Sequence, residues 1–168
     1  MSSTVFVNGV TLTDAEWFND VNDPTYDEVA NVKNSDYGAV GDGVTDDTVA
    51  IAAALAANKN VHFPPGTYSA TVSVIRANTT ISFGGDVILK GRAADTEVLS
   101  IVGVNNCVIH GGVQLDMSAM ANAGTVFGFR AIGGFGHRVS DIKVINEGSS
   151  QFGLRLEAGV YTTTFENV

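Results

Sequence analysis

Short apolar segments recur at nearly regular intervals after residue 60, and this spacing constrains the fold more than any other feature of the chain. Runs rich in Val, Ile and Phe alternate there with Gly, Asn and Asp. Phe83 precedes GGDVIL and Ile109 precedes HGGVQL, while the segment that begins at Val139 aligns with the segment that begins at Phe165. These four residues are 26, 30 and 26 positions apart. A strand repeat of this length indicates a solenoid or a propeller.

The length of the interval separates the possible β architectures. A propeller blade needs about four strands in roughly 40 residues or more, so these intervals are too short for one. A coil of a parallel β-helix, with three short strands and their turns, fits them. We therefore predict an all-β parallel β-helix with Phe83, Ile109, Val139 and Phe165 stacked inside it. A β-sandwich, in which strands also alternate with turns, is the alternative.

One helical segment precedes the β-rich part. Thr45 can cap a helix whose apolar stripe consists of Ile51 and Leu55, four residues apart. The first turn would hold two acidic residues at the positive end of the helix dipole, Asp46 and Asp47. The first coil of a solenoid exposes its core and its strand edges until something covers them. We therefore predict a capping helix over residues 45–57, with Ile51 and Leu55 facing the core.

Charge and composition exclude several classes of function. The formal net charge of −9 argues against a surface that binds nucleic acid or anionic lipid. Neutral glycans and protein partners remain compatible with it. The most apolar run, residues 49–57, is far shorter than the ~20 residues that span a bilayer, so we expect no membrane insertion. The N-terminus lacks the basic and apolar regions of a secretory signal, which predicts a soluble chain made in the cytoplasm.

The residues that usually hold metals or cofactors are sparse. Cys107 is the single cysteine, so a buried, inert thiol is expected. His62, His110 and His137 lack metal-ligand spacing. The GDGVTDD segment lacks the terminal Glu of a calcium-binding EF-hand loop, and no GxxxxGK[ST] phosphate loop is present. We expect neither a metal nor a cofactor.

The N-terminal part of the chain differs in sequence pattern from the rest. A Thr-Asp-Ala-Glu capping box precedes Trp17, Phe18 and Val21, which fall on one side of a short helix. A helix this short is marginal without a partner, and large aromatics are favoured at protein interfaces. We predict an attachment segment carried by Trp17, Phe18 and Val21. Alternatively, Trp17 and Phe18 simply cover the adjacent β domain.

Two stretches resemble a known family. DYGAVGDGVTDDTVAIAAALAA, followed by VHFPPGTYSA, closely resembles the start of the pectate-lyase-like β-helix in phage tailspikes and polysaccharide depolymerases. The opening VFVNGVTLTDAEWFNDVND resembles N-terminal segments of phage tail fibre and tailspike proteins. The resemblance implies a right-handed β-helix in a homotrimeric spike. It also implies attachment to virion tail or baseplate proteins through the N-terminus, and binding of host surface polysaccharide such as capsule or lipopolysaccharide.

These observations predict three parts: a virion-attachment segment over 1–35, a capping region over 36–60 and the first coils of the β-helix over 61–168. Because the chain stops at Val168 in a predicted strand, we expect an N-terminal fragment of a longer chain. The predicted function is a tailspike or tail fibre component of the phage virion. The alternative is a polysaccharide depolymerase whose catalytic coils lie here or in a missing C-terminal part. A cellular pectate-lyase-like protein is disfavoured by the absent secretion signal.

Glycan hydrolysis would need two carboxyl groups, ~5–5.5 Å apart for retention or ~6.5–9.5 Å apart for inversion. The candidates are the acids that follow the cap: Asp116, Asp141, Glu147 and Glu157. Asp141 lies between Val139 and Ile142, so we expect it in a strand and pointing outward. Ordinary solvated or turn acids are the alternative for each candidate. Lyase chemistry would instead need cationic groups beside a base, for which the chain offers a scattered set: Arg130, His137, Arg138 and Arg155. We expect no catalysis by this chain alone.

Overall fold

The computed structural model of the chain describes residues 5–7, 10–12, 29–120, 125–145, 151–157 and 159–168. Within these ranges, β1 (Val5–Val7) and β2 (Val10–Leu12) form an antiparallel hairpin. The other described strands form three parallel sheets. No described helix is both long enough and apolar enough to cross a bilayer.

The three parallel sheets differ in their number of strands. The six-stranded sheet contains β3 (Ala30–Asn31), β5 (Asn60–Phe63), β8 (Thr80–Phe83), β11 (Val108–His110), β14 (Arg138–Ser140) and β17 (Thr164–Glu166). The five-stranded sheet contains β4 (Asp42–Asp46), β6 (Gly66–Ser69), β9 (Val87–Lys90), β12 (Val113–Asp116) and β15 (Ile142–Ile145). The four-stranded sheet contains β7 (Val72–Val74), β10 (Glu97–Val102), β13 (Val126–Ile132) and β16 (Gln151–Leu156).

Each coil takes one strand from each sheet in the same order, and each strand pairs in parallel with its counterpart in the next coil. Four such coils are complete within the described residues. The predicted parallel β-helix is therefore confirmed. In the coil before them, β3 and β4 are followed by helix α1 (Thr48–Ala57), which stands where the third strand would be. The buried side chains of all three sheets form one continuous hydrophobic core.

Helix α1 begins three residues later than predicted. Thr45 lies in β4, and its hydroxyl donates to the Asp42 carboxylate at 2.8 Å instead of capping a helix. The Asp46 carboxylate accepts the backbone N–H of Thr48 at 3.0 Å, so Asp46 precedes the first turn. Ile51 and Leu55 are both buried in the core. The helix contacts β7, the edge strand of the four-stranded sheet.

Asp47 also lies outside the first helical turn. Its carboxylate is buried and accepts the backbone N–H groups of Val40 at 2.7 Å and Gly41 at 3.1 Å. Gly41 has a φ of +68°, which favours glycine. The acid that was expected to interact with the helix dipole instead holds a glycine-containing loop against the start of the helix.

The predicted core column is right at three positions and wrong at one. Ile109 pairs with Val139, and Val139 pairs with Phe165. In the preceding coil, however, Ile109 pairs with Ile81 rather than with Phe83. Phe83 is buried, but it lies two residues further along β8.

The difference arises at the corner between the six-stranded and five-stranded sheets. Three residues separate β8 from β9, two separate β11 from β12, and Asp141 alone separates β14 from β15. The chain turns at Gly111 in the position that corresponds to Phe83, and a Cβ atom on Gly111 would lie 2.4 Å from the Phe83 carbonyl oxygen. The repeated Gly-Gly pair in the sequence therefore marks two corners of different length.

Asp141 is a corner residue, not a strand residue as predicted. Its φ is +59°, and that of Asn167 in the next coil is +53°. The Asn167 amide donates to the Asp141 carboxylate at 3.0 Å, so the two corner residues stack. Asn and Asp tolerate this left-handed conformation better than most residues do. The same conformation recurs in Asn78 and Asn106, at the corner between the four-stranded and six-stranded sheets.

Cys107 is fully buried, as predicted, and burial raises the pKa of its thiol. His137 is buried next to it and accepts the Cys107 backbone N–H through Nδ1 at 3.3 Å. The other ring nitrogen, Nε2, has no hydrogen-bond partner among the described residues.

Candidate functional site

The three predicted carboxylates that the structure describes do not share one face. Asp116 is an outward residue at the end of β12 and accepts the Ser118 N–H at 2.9 Å. Asp141 lies at a corner of the coil, where the Asn167 amide lowers the pKa of its carboxyl group. Glu157 directly follows β16 in the four-stranded sheet. Glu147 lies outside the described residues, as do all three predicted attachment residues, Trp17, Phe18 and Val21.

The outer face of the four-stranded sheet gathers charged and aromatic side chains from successive coils. Parallel pairing places Ser73, Ser100, Arg130 and Arg155 in one column across this sheet. Neighbouring strands are about 4.8 Å apart, so long side chains in such a column reach those of the next coil. We call the group on this face the outer-face cluster, and it consists of Glu97, Phe127, Arg130, Phe152, Arg155 and Glu157.

Arg130 is the centre of the cluster. Its Nε and Nη2 lie 2.9 and 2.8 Å from Glu157 Oε1, and its Nη1 lies 3.2 Å from Glu97 Oε2. Although burial opposes it, hydrogen bonding to Glu157 and Glu97 raises the pKa of Arg130 above its ordinary value. One guanidinium therefore joins carboxylates from coils on both sides.

Phe127 forms the base of the cluster. The guanidinium carbons of Arg130 and Arg155 lie 5.2 and 5.6 Å from its ring centroid, within the range of cation–π contact. The Phe152 ring, in the next coil, is 6.0 Å from the Phe127 ring and 34° from parallel to it. Phe127 is buried, whereas 50% of Phe152 is exposed. The cluster thus presents an aromatic surface to solvent.

Arg155 is the most accessible charged group of the cluster. Its side chain is 47% exposed, and its Nε lies 3.8 Å from Glu157 Oε1, which is too long for a hydrogen bond. Arg130, in contrast, directs three of its nitrogens at carboxylates. Arg155 is therefore available to a ligand, while Arg130 and the two glutamates hold the cluster together.

Sequence reasoning missed Glu97, Phe127 and Phe152, and it named Arg130 and Arg155 only within a scattered set. A signal was present in the sequence. Strand β13 contains Phe-Gly-Phe-Arg and strand β16 contains Phe-Gly-Leu-Arg, 25 residues apart. A repeated Phe and Arg in successive coils must stack on the sheet. Across the described residues, no three His, Cys, Asp or Glu side chains gather closely enough to hold a metal ion.

Residues 29–106 match the family model described as rhamnogalacturonase A/epimerase, pectate lyase-like. The chain also resembles mannuronan C5-epimerase AlgE6 of Azotobacter vinelandii, with 31% identity over 121 residues. That alignment spans 69% of this chain and 13% of the epimerase. Together with the coils described above, these matches show a parallel β-helix that is similar to those of pectate-lyase-like proteins.

One solved structure supports the same fold. The iota-carrageenase of family GH82 from A. fortis aligns over 84% of this chain and 40% of that protein, with a TM-score of 0.58 and 18% identity. ORF18 of Geobacillus virus E2 aligns over 99% of this chain and 45% of that protein, with a TM-score of 0.43 and 19% identity. At such identities, the carrageenase alignment shows a shared fold and not a shared activity. The chain spans less than half of each of these proteins.

Proposed function

We propose that the chain is a polysaccharide-binding β-helix module of a phage tailspike or tail fibre, and that the outer-face cluster contacts the glycan. The outer-face cluster is the observation that carries this proposal. Exposed Phe152 offers apolar surface to a sugar ring, and Arg155 offers N–H donors to its oxygen atoms. Binding sites commonly combine apolar surface with a few placed polar groups in this way.

The tailspike part of the proposal is supported by the sequence resemblance of the N-terminal segment. In this proposal, residues 1–35 attach the module to virion tail or baseplate proteins, residues 36–60 cap it, and three copies assemble side by side on the virion. Deleting residues 1–28, which keeps β3 and the buried Val32, should leave glycan binding intact and abolish incorporation into particles. Loss of glycan binding with normal incorporation would reverse the assignment of this segment.

Polysaccharide retention is the direct test of the proposed site. The chain would be passed over immobilised capsule, lipopolysaccharide, polymannuronate and iota-carrageenan, together with the variants Arg155→Ala and Lys143→Ala. Lys143 is an exposed cation on the outer face of the five-stranded sheet, so it is the matched control. We expect Arg155→Ala to bind roughly tenfold more weakly, as the loss of a charge-assisted hydrogen bond implies. Equal losses in both variants would indicate non-specific attraction to exposed cationic side chains without a site.

A depolymerase is the second candidate, because two carboxylates from different coils face the same surface. The Arg130 guanidinium is hydrogen-bonded to both Glu97 and Glu157, which favours binding over acid–base catalysis in this arrangement. A reducing-end assay on the same polysaccharides separates the two functions. Oligosaccharide release that is lost in Glu157→Gln would establish the enzyme.

A further inference from the structure

A groove of about 210 Å³ lies between α1 and β7, at the edge of the four-stranded sheet. Outward side chains in and beside β7 form one wall, which includes Thr71, Ser73 and Ile75. Thr48 and Ala52 of α1 form the other wall, and the buried side chains of Ile51 and Leu55 also line the groove. The groove therefore opens on the same outer face that carries the outer-face cluster.

The lining of the groove is apolar surface with hydroxyl groups. Ile75 is 65% exposed, and Ala52 is exposed opposite to it. The Thr48 hydroxyl oxygen accepts the Thr71 N–H at 3.4 Å, and the Ser73 and Ser100 hydroxyls are 3.0 Å apart. None of the lining residues is charged. This chemistry suits a neutral, polyhydroxylated ring with an apolar face, and it offers nothing to a phosphate or a cation.

The size and position of the groove indicate which ligand would supply that ring. Its volume is below the roughly 300–1,000 Å³ typical of sites for drug-sized molecules, so a single sugar residue suits it. Ser73 stands in the same column as Arg130 and Arg155, which are partly exposed, and as Ser100, which is fully buried. Three strand spacings separate Ser73 from Arg155, which is roughly 14 Å and within the length of a short oligosaccharide.

We propose that the groove between α1 and β7 is an end subsite for a pyranose ring of the same polysaccharide strand that contacts Arg155 and Phe152. This inference rests on the proposed function. The strand then runs across the coils, with its terminal ring between Ala52 and Ile75. The capping helix takes part in binding, and the site distinguishes long from short oligosaccharides.

The experiment fills the groove and varies the ligand length. Ala52→Trp places a large ring in the groove, and Ala53→Trp places the same ring at the next exposed position of the helix, outside the groove. Disaccharide and octasaccharide fractions of dextran, a neutral glucan, are titrated into wild type and both variants by calorimetry. We expect Ala52→Trp to weaken octasaccharide binding about fivefold or more, a loss of roughly 1 kcal/mol, and to leave disaccharide binding unchanged. Ala53→Trp should resemble wild type with both fractions.

Each other outcome overturns the inference in a recognisable way. Wild-type octasaccharide binding by Ala52→Trp would remove the end subsite and leave the proposed function intact. If Ala53→Trp weakened octasaccharide binding as much as Ala52→Trp did, the loss would come from a Trp on the helix surface and not from a filled groove. If wild type bound neither fraction of dextran, both the subsite and the proposed binding of a neutral polysaccharide would fail.

Discussion

The two faces of strand β13 serve different purposes. Phe129 points inward, is fully buried and packs edge-to-face on Phe165 at 6.0 Å. Arg130, the next residue, points outward to Glu97 and Glu157. The inner face repeats one solution, an apolar column, in every coil, whereas the outer face changes from Ser73 to Arg155 along its column. A solenoid wall can therefore acquire a binding site without disturbing its core.

The largest effect should come from the inner face. Phe129→Ala removes a fully buried ring and leaves a cavity, so we expect the free energy of unfolding to fall by about 3–5 kcal/mol. Phe152→Ala is the matched control, because the same side chain is half-exposed on the outer face. Urea denaturation measures both. Similar losses in the two variants would contradict the separation between a structural and a functional face.

The next largest effect should come from a buried polar group at the capped end. Asp47→Ala removes the carboxylate acceptor of the Val40 and Gly41 N–H groups, which are partly buried. We expect a loss of about 1 kcal/mol, since water can reach these donors in part. Asp36→Ala, at an exposed position of the same loop region, should change stability little. An unchanged melting temperature for Asp47→Ala would show that these two hydrogen bonds do not stabilise the loop.

A smaller and pH-dependent effect should come from His137. Burial lowers the pKa of its imidazole, and the backbone of Gly133 offsets this only in part. The unfolded chain therefore binds a proton near its ordinary pKa of about 6.5, where the folded chain does not. Keeping His137 neutral therefore costs no stability above about pH 6.5, and the free energy of unfolding decreases as the pH falls below that value. The wild-type melting temperature should drop between about pH 7 and pH 5.5, and His137→Asn should drop less. Parallel curves would exclude His137 as the cause.

The sequence predicted the inner face better than the outer one, for a physical reason. Apolar residues at Ile109, Val139 and Phe165 must all avoid water, so their spacing alone reveals the coil. The register failed at Phe83 because corner length varies between coils, and Gly and Asp mark a corner without giving its length. Outer residues such as Glu97 obey no such common requirement. Glu97 lies 33 residues before Arg130 in the sequence, and only the stacking of coils brings the two side chains together.

The smallest change in stability should come from Arg130. It is adjacent in sequence to Phe129, for which the largest change is expected. Arg130→Met keeps an apolar stem over Phe127 and removes the charge between Glu97 and Glu157. These side chains are partly exposed, so solvent screens the ion pairs, and we expect a loss of about 1 kcal/mol or less. Raising the salt concentration should reduce the difference in free energy of unfolding between variant and wild type, because salt screens the ion pairs that only wild type has. Denaturation at low and high salt measures this difference. A difference that stayed constant with salt would mean that Arg130 stabilises the wall by packing on Phe127, as an inner-face residue does, and not by charge.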